Sequence, residues 1–265
     1  MENKSYKNIQ FSAEKRVATV TINRAQFANA LDHETLGEIA DAFSFAAARD
    51  EIGAIVLTGA GKHFSAGGNI KNFKTMLEEG RYLTKEYVSV AGKSVHAIFN
   101  TPKPTLAMVN GMAAGQGAAV AAACDFRIFA PSSRFNMAFI NVGLSGDSGA
   151  MLYLAKLVGI ARARELMMTG RVVRADEAKE IGFATAVTES DERLADVTYE
   201  LAQKLANGAT FAIGRQKAMF NSLFYSEYDK YVEMEGSCIE ECSRHPDFKE
   251  AVYAFCEKRT PVFSK

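Results

Sequence analysis

Hydrophobic and polar positions change rhythm several times along the chain, and each change marks an element. The first stretch reads as two strands, of which Val17–Ile22 is β-branched with Ala18, Val20 and Ile22 on one face. Leu36, Ile39, Phe43 and Ala46 then recur at helical spacing, and Asp32 stands where an N-cap belongs. Ala54–Thr58 is a short apolar run closed by Gly59, the pattern of a buried strand. Leu83, Tyr87, Val90, Ala91, Val95 and Ile98 give a second amphipathic helix, which Pro102 and Pro104 stop. Thr105–Val109 reads as another buried strand, followed by small residues to Ala123, and Phe126, Ile128 and Ala130 alternate as a strand. Strand–helix alternation of this kind predicts an α/β core.

After about Gly146 the pattern becomes almost wholly helical as far as Lys258, with expected caps at Asp176, Asp191 and Ser226. Several of these helices carry apolar residues with no evident partner within the chain, among them Phe220, Leu223, Phe224 and Tyr228. The expected organisation is a core over 1–190 and a helical appendage over 191–265.

Composition narrows the function classes. With 265 residues, 48% of them hydrophobic, the chain can bury one large core. Its 31 basic and 31 acidic residues cancel, so no long-range field draws it to nucleic acid or to an anionic membrane. Met1–Arg16 is polar and lacks an apolar signal core, and Leu106–Cys124 is interrupted by Asn110, Gln116 and three glycines, which suits a buried turn better than a membrane span. Cys124, Cys238, Cys242 and Cys256 form no C-x-x-C pair and no zinc spacing, so no metal is expected. Buried free thiols and a reducing, cytoplasmic setting fit them.

Two glycine loops, Gly59–Gly68 (GAGKHFSAGG) and Gly111–Gly117 (GMAAGQG), each follow a buried strand. Neither is a nucleotide motif. A P-loop would need Gly at Val56 and Ser or Thr at His63, and a dinucleotide fingerprint would need Gly at Val120. Glycine turns whose free N–H groups open helices suit an oxyanion better.

Six segments in order resemble the successive signatures of the crotonase (enoyl-CoA hydratase/isomerase) superfamily: Asn23–Leu31 (NRAQFANAL), His63–Lys71 (HFSAGGNIK), Val109–Ile128, Val142–Ala150 (VGLSGDSGA), Gly170–Val187 and Phe255–Phe263 (FCEKRTPVF). The resemblance covers nearly the whole chain. It implies a ClpP-like core of repeated ββα units with a C-terminal helical region that builds homotrimers, often stacked as hexamers. The substrate class it implies is an acyl-CoA thioester, with no cofactor beyond the coenzyme A of the substrate.

Carried over residue by residue, the resemblance makes the N–H groups of Gly68 and Gln116 the oxyanion hole. The second position is usually Gly, so Gln116 is a departure whose side chain narrows the pocket. The CoA-binding loop maps to Arg24–Phe27, including Gln26, with Ala25 in place of the usual proline. Ala66 and Phe139 line the acyl site, Lys71 matches a basic position near the CoA phosphates, and Phe255 and Lys258 match residues that reach the adenosine end.

The two glutamates of the family's hydratases align with Ala119 and Phe139, neither of which transfers a proton. The remaining carboxylate is Asp147, at a position that epoxide and dienoyl-CoA isomerases use as acid/base and chlorobenzoyl-CoA dehalogenases as nucleophile. The competing role for Asp147 is a helix N-cap, since it precedes the helical run Ser148–Leu157. Against the dehalogenase, its activating His would fall at Gly92 and its Trp at Phe139. His96, one turn beyond Gly92, is a further candidate for the pocket, whereas His33, His63 and His245 read as surface or cap residues. The expected activity is an isomerase that shifts a double bond or ring through a CoA enolate. The alternatives are an atypical hydratase, lyase or decarboxylase of the same superfamily, or a non-catalytic acyl-CoA-binding paralogue.

Overall fold

The computed structural model describes residues 4–264; residues 1–3 of the polar N-terminal stretch, and Lys265, lie outside it. Strands β1 (Ile9–Glu14) and β2 (Val17–Ile22) form a hairpin, and α1 (His33–Ala47) follows, capped by Asp32, whose side chain accepts from the Thr35 N–H. Three strand pairs come next: β3 (Ala54–Gly59) with β4 (His63–Ser65), β5 (Thr105–Val109) with β6 (Met112–Ala114), and β7 (Phe126–Phe129) with β8 (Arg134–Asn136). Helices α2 (Ile70–Glu78) and α3 (Lys85–Asn100) separate the first pair from the second, and α4 (Gln116–Ala123) separates the second from the third.

The first strand of each pair joins a six-stranded sheet and the second a four-stranded one. This repetition is the ββα plan. The larger sheet runs β1-β2-β3-β5-β7-β10, parallel after the first hairpin, where β10 is Ala186–Val187. The smaller runs β4-β6-β8-β9, where β9 is Val173–Arg174. Along the chain, α5 (Ala150–Val158) and α6 (Ile160–Thr169) fall between β8 and β9, and α7 (Ala175–Glu180) between β9 and β10.

Every residue of β3 is buried, because helices cover both faces of the larger sheet. One face packs into the main core with Leu36, Ile39, Phe43 and Val95. The other is covered by α8 (Leu194–Ala206), whose Ala202 and Ala206 sit against Val17, Ala54, Val56 and Leu106. The same covering explains why β7 does not alternate in burial as its sequence suggests.

Three helices complete the chain: α9 (Thr210–Phe224), α10 (Tyr228–Arg244) and α11 (Pro246–Glu257). A partly buried ion pair ties α9 to the sheet, Lys217 Nζ to Asp125 Oδ2 at 2.8 Å, and the Thr105 N–H donates to the same carboxylate oxygen at 2.8 Å. Phe211, Phe220, Leu223 and Phe224 on α9 remain exposed.

The expected caps do not form. Asp176 lies inside the first turn of α7, Asp191 accepts instead from the Ser132 N–H at 3.0 Å, and Glu227 rather than Ser226 precedes α10. Of the four cysteines only Cys124 is buried, and that burial pushes its thiol up to about 12. Among the described residues no helix is long and apolar enough to cross a membrane.

Candidate active site

Two strand-to-helix turns meet beside a groove. One runs from β4 through Ala66–Asn69 into α2, the other from β6 through Gly115 into α4. Gly67 has a φ of 84°, and a Cβ there would stand 2.4 Å from the Ala114 carbonyl oxygen and 3.3 Å from the Gln116 nitrogen, so glycine is what lets the turns touch. Leu31 and Gly68 form an isolated parallel bridge, in which the Leu31 N–H donates to Gly67 O at 2.7 Å and the Asn69 N–H to Leu31 O at 3.2 Å. A parallel bridge uses the neighbours of Gly68 and leaves its own N–H on the opposite side. Gln116 is the first residue of α4, so its N–H is one of the unpaired donors of a helix start. Among the described residues neither N–H has an acceptor. Two such donors on the wall of one groove can hold an oxygen that gains negative charge.

The turn Gly146–Gly149 brings the carboxylate. Gly146, Ser148 and Gly149 all have positive φ, at 123°, 60° and 76°. Ser148 is fully buried and is no glycine, so this turn stores about 1–2 kcal/mol of backbone strain. Gln116 Nε2 donates to Ser148 Oγ at 3.0 Å and, more weakly, to Asp147 Oδ1 at 3.4 Å. The Gln116 side chain therefore reaches the Gly146–Gly149 turn and braces the carboxylate. Burial pushes the Asp147 carboxyl up to about 6, and the bonds with Ser148 and Gln116 only partly offset it. Helix α5 begins at Ala150 with Gly149 as its N-cap and no side-chain cap. Asp147 contributes only its carbonyl there, accepting from the Ala150 N–H at 3.0 Å, which removes the N-cap role expected for its side chain.

Gln26, Phe27, Ala66, Gly68, Lys71, Gln116, Phe139, Asp147 and Phe255 line one cavity of about 620 Å³. Arg24 and Lys258 do not. The Arg24 guanidinium is turned inward, with Nη1 donating to Ala30 O at 2.8 Å, Asp32 Oδ2 at 2.6 Å and Thr35 Oγ1 at 3.0 Å, so it locks the 24–31 loop to α1. Lys258 is exposed and ends α11 in the left-handed region, φ 57°. Gly68, Phe73, Gln116 and Asp147 also border a smaller pocket of about 30 Å³, lined in addition by Leu83, Tyr87, Val88 and Ala91. Donors and carboxylate thus border both the groove and the smaller pocket.

A second buried carboxyl lies behind the first. Glu235 on α10 accepts from the Gly149 N–H, 3.2 Å from each oxygen, and from the Tyr231 hydroxyl at 2.8 Å. In the sequence it is one acid among several on an amphipathic helix; the i,i+4 pair Tyr231–Glu235 is the only local sign of it.

A family model described as enoyl-CoA hydratase/isomerase matches residues 12–265. The chain belongs to that family. The short-chain-enoyl-CoA hydratase of Clostridium acetobutylicum is 34% identical over 254 residues, 95% of each chain. The 1,2-epoxyphenylacetyl-CoA isomerase of Escherichia coli is 34% identical over 259 residues, 95% of this chain and 96% of that one. Among solved structures, the enoyl-CoA hydratase from Mycobacterium avium subsp. paratuberculosis K-10 aligns with a TM-score of 0.88 at 30% identity, over 98% of this chain and 100% of that one. The fold is the crotonase fold.

The histidines of this family member fall differently from expectation. His33 borders the smaller pocket and His63 the groove, so neither is a plain surface residue. His96 stacks on Tyr228 at 4.0 Å and faces a separate cavity between α3 and α9, away from Asp147. His245 does cap α11, its Nδ1 accepting from the Asp247 N–H at 3.3 Å.

Proposed function

We propose that this protein is an acyl-CoA isomerase that moves a double bond or ring through a CoA enolate, with Asp147 as the single proton carrier. The observation that carries the reading is Asp147, raised to about 6 by burial and bordering the same cavity as the free N–H groups of Gly68 and Gln116. The thioester oxygen would sit on the two N–H groups. Asp147 takes a proton from the carbon next to the carbonyl, and the freed electron pair spreads to that oxygen as an enolate. Asp147 returns the same proton further along the chain, so the double bond shifts and no atom is gained. The donors act where charge develops, which lowers the barrier of the step itself. A pKa near 6 leaves the base ionised at neutrality and still basic enough to work.

Ala119 and Phe139 offer no carboxyl to hold water, which disfavours hydration by paired carboxylates. The 34% identity to a hydratase keeps hydration as the second reading. In the proposed complex the CoA moiety occupies the groove past Gln26, Phe27, Lys71 and Phe255, and no further cofactor takes part. Assembly as a trimer or a dimer of trimers would cover the exposed aromatic residues of α9; light scattering at micromolar concentration tests it, and a monomer would contradict it.

The deciding experiment is a panel of CoA esters, including β,γ-hexenoyl-CoA and crotonyl-CoA, in deuterated buffer with mass-spectrometric readout. Deuterium uptake or double-bond migration without gain of water is expected. Fast hydration of crotonyl-CoA would overturn the isomerase reading in favour of the second.

A further inference from the structure

One buried ionisable group has no part in the reaction just described. Glu235 is 5% exposed and, among the described residues, has no Lys or Arg within ion-pair distance. Its carboxyl sits against the turn that carries Asp147. Gly149, two residues on from Asp147, is clamped there: its N–H lies 3.2 Å from both Glu235 oxygens, and a Cβ on its other side would stand 2.6 Å from Tyr153 Cε2.

The charged and titratable groups around Glu235 come from three helices. Its own helix supplies Tyr228, Tyr231 and Asp229. Helix α5 and its leading turn supply Tyr153 and Asp147. From α3, Lys85 packs its stem on Gly236, but its ammonium goes to Glu233 at 3.4 Å; Tyr87, also on α3, feels the charge of Asp147. No cation among them compensates a charged Glu235, and an uncompensated buried carboxylate is strongly disfavoured.

We propose that Glu235 is a positioning residue for Asp147: its carboxyl holds the Gly149 N–H and with it the Gly146–Gly149 turn, and its ionisation sets a second negative charge against Asp147 across that turn. This rests on reading Asp147 as the proton carrier. Burial, and then the negative charge of Asp147, push Glu235 up to about 8, while Asp147 titrates at about 6. The two carboxyls lose their protons as a coupled pair, and between those steps the site holds one negative charge. Further ionisation sets a second carboxylate against the strained turn that carries the first, and repulsion between the two shifts Asp147 out of alignment. Misplacement of this kind lowers kcat while leaving the binding of the CoA moiety intact.

The test measures kcat and KM for β,γ-hexenoyl-CoA between about pH 5.5 and about pH 9, in wild type, Glu235→Gln, Glu235→Ala and Asp147→Asn. Wild type is expected to lose kcat above about pH 8, and Glu235→Gln, which cannot ionise but can still accept from Gly149, to stay level. Glu235→Ala is expected to lose at least about tenfold in kcat at neutrality with KM within about twofold, and Gln to restore most of that loss relative to Ala. An alkaline fall of the same size and midpoint in Glu235→Gln as in wild type overturns the inference. Should Glu235→Ala fail to fold, the Gln profile decides alone. Inactivity of Asp147→Asn together with an unchanged Gln profile sinks only the role of Glu235. An active Asp147→Asn sinks the proton-carrier reading itself.

Discussion

The Gln116 amide lies 3.4 Å from the Asp147 carboxylate, so the residue whose backbone N–H opens α4 onto the groove also braces the acid across from it. Gln116→Ala keeps the N–H and removes the brace at Asp147 and Ser148. We expect kcat to fall by about tenfold with little change in KM, since misplacement of a reacting group is expensive while uniform binding is untouched. Steady-state kinetics on the ester identified by the panel checks this; a rise in KM alone would assign Gln116 to binding.

Asp147→Asn should lower kcat by about 10²–10⁴-fold, the range for loss of a positioned acid/base. In wild type the active form is the carboxylate. Activity should therefore fall as pH drops through about 6, the value to which burial raises Asp147, and be nearly full a unit above it. A pH–rate profile that stays level down to about pH 4, the ordinary range of an aspartate, would exclude Asp147 as the ionising group.

Glu235 also makes a prediction about stability. Its native pKa of about 8 lies above the ordinary 4.5, so in the intervening window the folded protein holds a proton that the unfolded chain has released. Stability from this group is present below 4.5 and declines as pH rises towards 8, by about 1.4 kcal/mol per unit at most. Thermal melts should therefore show the Tm advantage of Glu235→Gln over wild type growing between pH 5 and pH 8. A constant difference would mean that Glu235 is charged throughout.

The Lys217–Asp125 pair is buried on the lysine side and partly exposed on the aspartate side. Lys217→Met leaves the Asp125 carboxylate with its bonds to Thr105, and we expect a loss of about 1–3 kcal/mol, read by denaturant unfolding. Asp125→Asn with Lys217→Met should recover part of this, since the double change leaves no lone charge.

The turns of the site could be read from the chain because their chemistry is local. Glycines after short apolar runs announce two loops suited to an oxyanion, and it is the resemblance to the crotonase superfamily that points to Gly68, Gln116 and Asp147 within them. Directions of side chains could not be read in this way. Arg24 sits in the right loop, but its guanidinium serves Ala30, Asp32 and Thr35, a choice made by the packing of α1 rather than by spacing. The caps expected at Asp176 and Ser226 failed because one-residue offsets at helix starts depend on the preceding turn. Glu235 was hidden because its partner Gly149 is 86 positions away, and on α10 only the i,i+4 pairing with Tyr231 sets it apart from its exposed acidic neighbours.

Helix α11 packs back over α2, with the Phe248 ring 5.9 Å from Phe73, and carries Phe255 to the rim of the same groove that Gln26 and Phe27 enter from the start of the chain. The lining of the groove therefore draws on parts of the polypeptide far apart in sequence. During synthesis the glycine turns, and Asp147, leave the ribosome long before α10 and α11. The nascent chain thus passes through a stage in which Asp147 has been made but neither Glu235 nor Phe255 exists. On the proposed reading, thioester binding waits for α11, which separates the birth of the core from the birth of the activity.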